Sequence, residues 1–497
     1  MSYFSTRGGA AVTASQAILS GIAPSGGLYV PGIYPQVSLQ WIDSLTRMSY
    51  PERAAAVLSL FLEDYTPAEI QEAVNAAYSP ERFDDAQIAP LRKLDGNTWL
   101  MELFHGPTLA FKDMALQLLP HLIRLAARKN GEEREIAILV ATSGDTGKAA
   151  LEGFRDVPGT SCTVFYPAEG VSDIQQLQMT TTGGNNTRVI AVEGNFDDAQ
   201  TGVKELFGSL DFRARMAEKG RVLSSANSIN FGRLVPQVVY YFSAYADLIN
   251  AGEIVCGEPL NFSVPTGNFG DILAGEYARR MGLPVGRLLC ASNRNNVLTD
   301  FFNTGIYSVH RLFYKTTSPS MDILVSSNLE RLLYEAAGRD GELVRVWMRQ
   351  LREVGSYSIG EQRLEELRKV FAGDYAEERD VVRAIHAVHE QTGVVIDPHT
   401  AVATHVLHNY RQHSGDARPG VIVATASPYK FCADVLRALR GDAAAEGLDA
   451  FACAEKLEQL SGVPVPAQIR ELREKPVNHR MRCSKKPVDM ADAVLAD

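Results

Sequence analysis

Ile136-Ala137-Ile138-Leu139-Val140-Ala141-Thr142-Ser143-Gly144-Asp145-Thr146-Gly147-Lys148 reads as a short apolar strand, a glycine-rich turn and the start of a helix. An uninterrupted apolar run bounded by a turn is the pattern of a strand covered on both faces. The same texture recurs on either side. Cys162 to Tyr166 predicts a strand, and Ser172, with Gln175 three residues on, a capping-box helix start. Arg188 to Val192 predicts a strand and Asp197 to Phe207 a helix. Asn261 to Val264 predicts a strand that runs into a second glycine-rich turn, Gly267-Asn268-Phe269-Gly270, while Leu288 to Ala291 and Val421 to Ala424 predict further strands. Short apolar strands alternating with amphipathic helices specify an α/β fold with mainly parallel sheets.

The flanks differ in texture. Ala54 to Leu62 and Ala68 to Ala77 have helical apolar spacing, so residues 1–97 read as a mostly helical N-terminal domain. The α/β core then spans 98–325 and 393–435, the charged stretch 326–392 reads as a helical insertion, and 436–497 as C-terminal helices with a polar tail. Arg480, Arg482, Lys485 and Lys486 suggest that the tail is solvated and poorly ordered. The chain has 497 residues, 45% hydrophobic and 22% charged, which is ample for a dry core. Its net charge of -10 argues against nucleic-acid binding, which needs clustered Lys and Arg. The polar N-terminus and short apolar runs predict no signal peptide and no membrane span. Six scattered cysteines, without C-x-x-C or zinc spacing, predict reduced thiols in a cytoplasmic protein and no metal.

Chemistry gathers at three places. In His105-Gly106-Pro107-Thr108-Leu109-Ala110-Phe111-Lys112-Asp113, a turn leads into an apparent helix from Leu109 to Leu119, with Lys112 in its first turn beside Phe111 and Met114. A helix N-terminus and apolar neighbours both disfavour an ammonium, which favours the neutral amine of Schiff-base chemistry. The turns Thr142–Lys148 and Pro265–Asp271 each offer free N–H groups at a helix start to an anion. A nucleotide P-loop is the obvious rival, but Thr142 stands where its first glycine belongs and Ala149 where Ser or Thr follows the lysine.

Together these segments resemble the threonine synthase family, in the tryptophan-synthase-β-like group of pyridoxal-phosphate enzymes. Val192-Glu193-Gly194-Asn195-Phe196-Asp197-Asp198, Asn227-Ser228-Ile229-Asn230 with Arg233, Ser320-Met321-Asp322-Ile323 and the opening Tyr3-Phe4-Ser5-Thr6-Arg7-Gly8 carry the resemblance further, in collinear order to about residue 435. Length and insertion look like the longer bacterial and fungal form. The resemblance implies pyridoxal-phosphate fold type II, with pyridoxal 5'-phosphate as cofactor and Lys112 as the catalytic lysine linked to it. It implies that Gly267, Asn268, Phe269, Gly270 and Asp271 hold the cofactor phosphate, with the Thr425 hydroxyl on the pyridine nitrogen. Ser143, Gly144, Asp145 and Thr146 would bind the substrate carboxylate, and Asn230, Arg233, Ser228 and His105 the substrate phosphate. The implied reaction converts O-phospho-L-homoserine and water to L-threonine and phosphate by β,γ-elimination and replacement, in a monomer or small homo-oligomer. An alternative is a phospho-lyase of the same fold that yields 2-oxobutyrate and phosphate. A metabolite-binding protein that kept the fold without catalysis is a rival from another class, opposed by the intact Lys112 and both glycine-rich turns.

This sequence departs from the family pattern at Ser25, where Asp is usual, and in Ala426-Ser427-Pro428-Tyr429-Lys430-Phe431, where the family reads Ala-His-Pro-Ala-Lys-Phe. Other residues have quieter readings. His399 reads as a structural histidine at a helix start. Tyr240, Tyr241, Phe242 and Tyr245, at helical spacing, read as core. Asp145, wrong in charge for an anion cradle, reads as a cap or network residue.

Overall fold

The computed structural model describes residues 1–142, 144–168, 171 and 173–496, without the side chains of Asp173 and Asp197. Its strands, in chain order, begin with an antiparallel pair, β1 (Tyr3–Ser5) and β2 (Tyr29–Pro31). β3 (Leu91–Asp95) and β4 (Thr98–Glu102) form a hairpin. The alternating region supplies β5 (Glu135–Ala141), β6 (Thr160–Pro167), β7 (Thr187–Glu193), β8 (Arg221–Ser224), β9 (Leu260–Pro265) and β10 (Val285–Ser292). β11 (Ile306–Ser308) and β12 (Ser356–Ser358) pair antiparallel, and β13 (Phe371–Tyr375), β14 (Gly420–Ala424) and β15 (Met481–Ser484) complete the set.

Among the described residues two large sheets result. One has the order β15-β7-β6-β5-β8 and is parallel throughout. The other has the order β13-β10-β9-β14-β4-β3 and is parallel except for its β3–β4 edge. Ile136 to Val140 on β5 and Val421 to Ala424 on β14 are buried throughout, as the apolar runs required. The helix-spaced segments of the N-terminal region form Tyr50–Phe61 and Pro67–Ala77, each with proline near its start and a capping box, Ser49 with Glu52 and Thr66 with Glu69.

Three expectations change. The helix read from Leu109 to Leu119 is broken into Asp113–Leu116 and Leu119–Lys129. Pro120 has no N–H to give Leu116 and its ring would crowd that carbonyl. Leu109 itself takes a left-handed φ of 58°, so the chain is still turning there. The stretch 326–392 is more than helices, because β13 joins β10 as an edge strand of the core sheet. The polar tail is ordered: Met481–Ser484 pairs with Ile190–Glu193, and helix Pro487–Leu495 buries Met490, Val494 and Leu495 against the core formed by Phe165, Val192 and Leu206. Basic residues alternate there with chain that pairs through its backbone, which residue charge does not reveal. The predicted cap at Ser172 lies outside the described residues; the helix there runs Asp173–Thr180.

Candidate active site

The carboxyl ends of β5, β9 and β14 face one cavity of about 100 Å³ between the two sheets. This is where open parallel sheets expose loop backbone to a ligand. Lys112, Thr146, Arg233, Gly267 to Asp271, Ser320, His399 and Thr425 line it. The segment before Lys112 is held rigidly. Asp113 accepts from the Thr108 N–H at 2.8 Å and its hydroxyl at 2.9 Å, and Phe111 N–H donates to the Thr425 carbonyl at 2.8 Å. Gly106 permits the turn, since a Cβ there would lie 2.5 Å from that of Asp113.

Lys112 lies deep, with 13% of its side chain exposed, and its Nζ stands 3.5 Å from Asp145 Oδ2 and 3.4 Å from Ser320 Oγ. Burial pushes its amine below the ordinary lysine range. Asp145 pulls it back up, while Lys430 and Arg233 push it further down. The cause of the shift is thus mainly burial and neighbouring cations, not a helix dipole, since the following helix is only four residues long. Asp145 in turn receives Lys430 Nζ at 2.6 Å and the Ser320 hydroxyl at 3.3 Å. Burial opposes its charge, but Lys430, then Lys112, hold the carboxyl far below the usual carboxylate range. His399 Nε2 accepts the Ser320 N–H at 3.2 Å, which leaves Nδ1 to donate to Asp397 at 2.6 Å.

Two sets of unpartnered donors face the same space. None of the backbone amides from Gly267 to Ile272 has an acceptor among the described residues. They lie at the start of helix Gly270–Met281, where Phe269 is held at a left-handed φ of 63° while only 1% exposed. Asp271 Oδ1 accepts from Tyr240 at 2.7 Å and Tyr241 at 2.9 Å, while its buried Oδ2 has no partner among the described residues. Arg233, 3% exposed, donates once, to the Ala226 carbonyl, and its buried Nε has no partner. No carboxylate lies within 4.0 Å of it among the described residues, and burial alone pushes its guanidinium down to about 10. A buried cation with unused donors is suited to an anionic ligand.

Residues 2–78 match the family described as Threonine synthase N terminus, and residues 86–427 match the Pyridoxal-phosphate dependent enzyme family. The chain belongs to the threonine synthase family of pyridoxal-phosphate-dependent enzymes. It is 42% identical to the Threonine synthase of Pseudomonas aeruginosa, over 90% of this chain and 92% of that protein. The crystal structure of a PLP-bound Threonine synthase from Brucella melitensis superposes with a TM-score of 0.88 at 38% identity, covering 100% of this chain and 99% of the other. Threonine synthase-like 1 of Homo sapiens is 42% identical over 86% of this chain, which spans only 58% of that relative's length.

Within this threonine synthase fold the sequence-assigned residues divide. Lys112, Thr146, Arg233, Ser228, Gly267, Asn268, Phe269, Gly270, Asp271 and Thr425 line the cavity. Gly144 and Asp145 begin helix Asp145–Phe154 beside it, where the Asp145 and Thr146 amides have no acceptor among the described residues; Ser143 lies outside them. Two residues are corrected. Asn230 is fully buried as a helix cap, its amide donating to the Ile18 and Ser225 carbonyls and accepting from Gly232 N–H. That leaves it nothing for a substrate phosphate. His105 sits away from the cavity between Asp84 at 2.7 Å and Glu102 at 3.1 Å. His399, read as structural, lines the cavity.

Lys430 and the bridging Ser320 hydroxyl were not singled out from the sequence. The signal for Lys430 was available: an aspartate in an anion cradle needs a cation. A lysine between Tyr429 and Phe431, just after a buried strand, has few places to go but inward. The family departures at Ser427 and Tyr429 do not reach the cavity. Ser427 caps the turn Pro428–Phe431, and the Tyr429 hydroxyl lies 3.2 Å from Ser461 Oγ.

Proposed function

We propose that this protein converts O-phospho-L-homoserine and water to L-threonine and phosphate, with Lys112 as the lysine that carries pyridoxal 5'-phosphate. The observation that carries the reading is the buried Arg233 guanidinium, whose Nε has no partner and which has no carboxylate within 4.0 Å among the described residues, in the same cavity as Lys112 and the free amides of Gly267 to Asp271. One buried amine flanked by two separate anion sites fits a phosphorylated cofactor and a phosphorylated substrate. The donor set of Gly267 to Asp271 fits the cofactor phosphate, and Thr425 would meet the ring nitrogen through a hydroxyl. When bound, the cofactor supplies an electron sink for a carbanion formed beside the substrate amine.

The protein's own groups do the rest. The amides of Asp145 and Thr146 bind the substrate carboxylate. Arg233, with Ser228, binds and orients its phosphate and stabilises it as it leaves Cγ. Lys112 Nζ, kept below the ordinary lysine range, takes the proton from Cα and moves protons at Cβ and Cγ before water adds at Cβ.

The test is an absorbance spectrum of the protein with pyridoxal phosphate before and after O-phospho-L-homoserine, with phosphate and products measured together. The expected result is a lysine-linked cofactor band, phosphate release and threonine. Lys112→Ala should lose the band and turnover. Arg233→Met should keep the band and raise KM about 10–100-fold, the worth of one to two charge-assisted hydrogen bonds. Full turnover in Lys112→Ala overturns the assignment. 2-Oxobutyrate in place of threonine would replace the product by that of the phospho-lyase.

A further inference from the structure

Lys430 is a deeply buried cation beside Asp145, with 1% of its side chain exposed. Among the described residues Asp145 is the only carboxylate within 4.0 Å of its Nζ; its other contact is the Thr108 carbonyl at 2.8 Å. Asp145 is therefore shared between two amines, tightly with Lys430 at 2.6 Å and loosely with Lys112 at 3.5 Å. The order matters. Were Lys112 the sole cation beside a buried carboxylate, taking its proton away would strand that carboxylate uncompensated in a low-dielectric site. The pair would then hold Lys112 as a protonated, non-nucleophilic ammonium.

We propose that Lys430 is a positioning residue for Lys112: by holding and neutralising Asp145 from the far side, it lets Lys112 give up its proton while Asp145 stays ionised and fixed. The inference rests on the reading of Lys112 as the cofactor-bearing lysine. The other groups facing Lys112 agree with it. Ser320 Oγ bridges Lys112 and Asp145 at 3.4 and 3.3 Å and adds no charge, and the Phe111 ring lies 5.7 Å from Nζ. Arg233 adds a second cation that disfavours the ammonium, and His399 lies on the Asp145 side. Asp113, the other carboxyl that Lys430 influences, is pushed up to about 7 by burial and is held by the Thr108 N–H and hydroxyl. Lys430 also explains why an aspartate is tolerated at the start of a helix whose free amides are proposed to bind a carboxylate.

The experiment measures the rate at which the full-length chain forms the covalent linkage with added pyridoxal phosphate between about pH 6 and pH 10, where the midpoint reports the free amine. Lys430→Met should raise the midpoint by about one unit, so that linkage near neutral pH slows about tenfold. Lys430→Arg, which keeps the charge, should restore most of the rate. Asp145→Asn should lower the midpoint, because Lys430 then repels Lys112 unopposed, and Asp145→Asn with Lys430→Met should bring it back up. An unchanged midpoint in Lys430→Met overturns the proposal. If that variant does not fold, equal midpoints in Asp145→Asn and the double variant overturn it instead. Failure of the unsubstituted chain to form any linkage would sink the assignment of Lys112, and is thus distinct from a linkage whose midpoint ignores Lys430.

Discussion

At the scale of single residues, the molecule separates groups that look equivalent in sequence. His105 stands seven residues before Lys112 in a motif rich in chemistry, yet Asp84 and Glu102 clamp both its ring nitrogens. Burial opposes its charge, but those two carboxylates raise it to about 9. A histidine that titrates near 6.5 when unfolded and near 9 when folded binds more protons in the folded state between those values. Its contribution is therefore complete below about pH 6.5 and is lost as pH rises through about 9. Its side chain is 18% exposed, so the effect is discounted to about 1–2 kcal/mol. Urea unfolding at pH values on either side of that window should show the loss in the parent protein and a flatter profile in His105→Gln. An identical slope in both would remove His105 from the account. Arg233 is the opposite case: a cation with no carboxylate is costly unless something anionic arrives, and that cost is what marks it as a binding group.

At the scale of elements, the site depends on helices that approach more closely than ordinary side chains allow. Gly153, on helix Asp145–Phe154, faces the Leu116 carbonyl so tightly that a Cβ would lie 2.0 Å from it. That contact sets the spacing between the helix that presents Asp145 and the short helix that follows Lys112. Gly153→Ala should destabilise the fold by about 1–3 kcal/mol through overpacking and slow the cofactor linkage, because both helices must separate. Chemical denaturation and the linkage rate check the two parts; a variant as stable and as fast as the parent would show that the contact relaxes without cost. The break at Pro120 belongs to the same scale, since it frees the Asp113–Leu116 segment to take its own direction.

At the scale of the whole molecule, the two sheets are finished by segments distant in sequence. β15 covers the edge of β7, and helix Pro487–Leu495 packs on helix Phe196–Gly208. Deleting residues 480–497 should expose that edge and remove the burial of Met490, Val494 and Leu495, a loss on the order of 5 kcal/mol. A lower melting temperature and concentration-dependent aggregation are the expected readouts, by scanning calorimetry and light scattering. An unchanged melting temperature would make the tail an ornament. No helix among the described residues is long and apolar enough to cross a membrane.

The sequence by itself determined the alternation of strands and helices, the two glycine-rich turns and the lysine between them. These are local properties: apolar runs, turn residues and caps act within a few positions of themselves. It also determined the family, through many collinear segments. Only the tertiary structure decided that Asn230 caps a helix, that His105 faces two carboxylates outside the cavity, that the basic tail is a strand and a helix, and that Lys430 shares Asp145 with Lys112. Each of those outcomes depends on partners far away in the chain, and a charge or an amide carries no mark in sequence of which distant group will satisfy it.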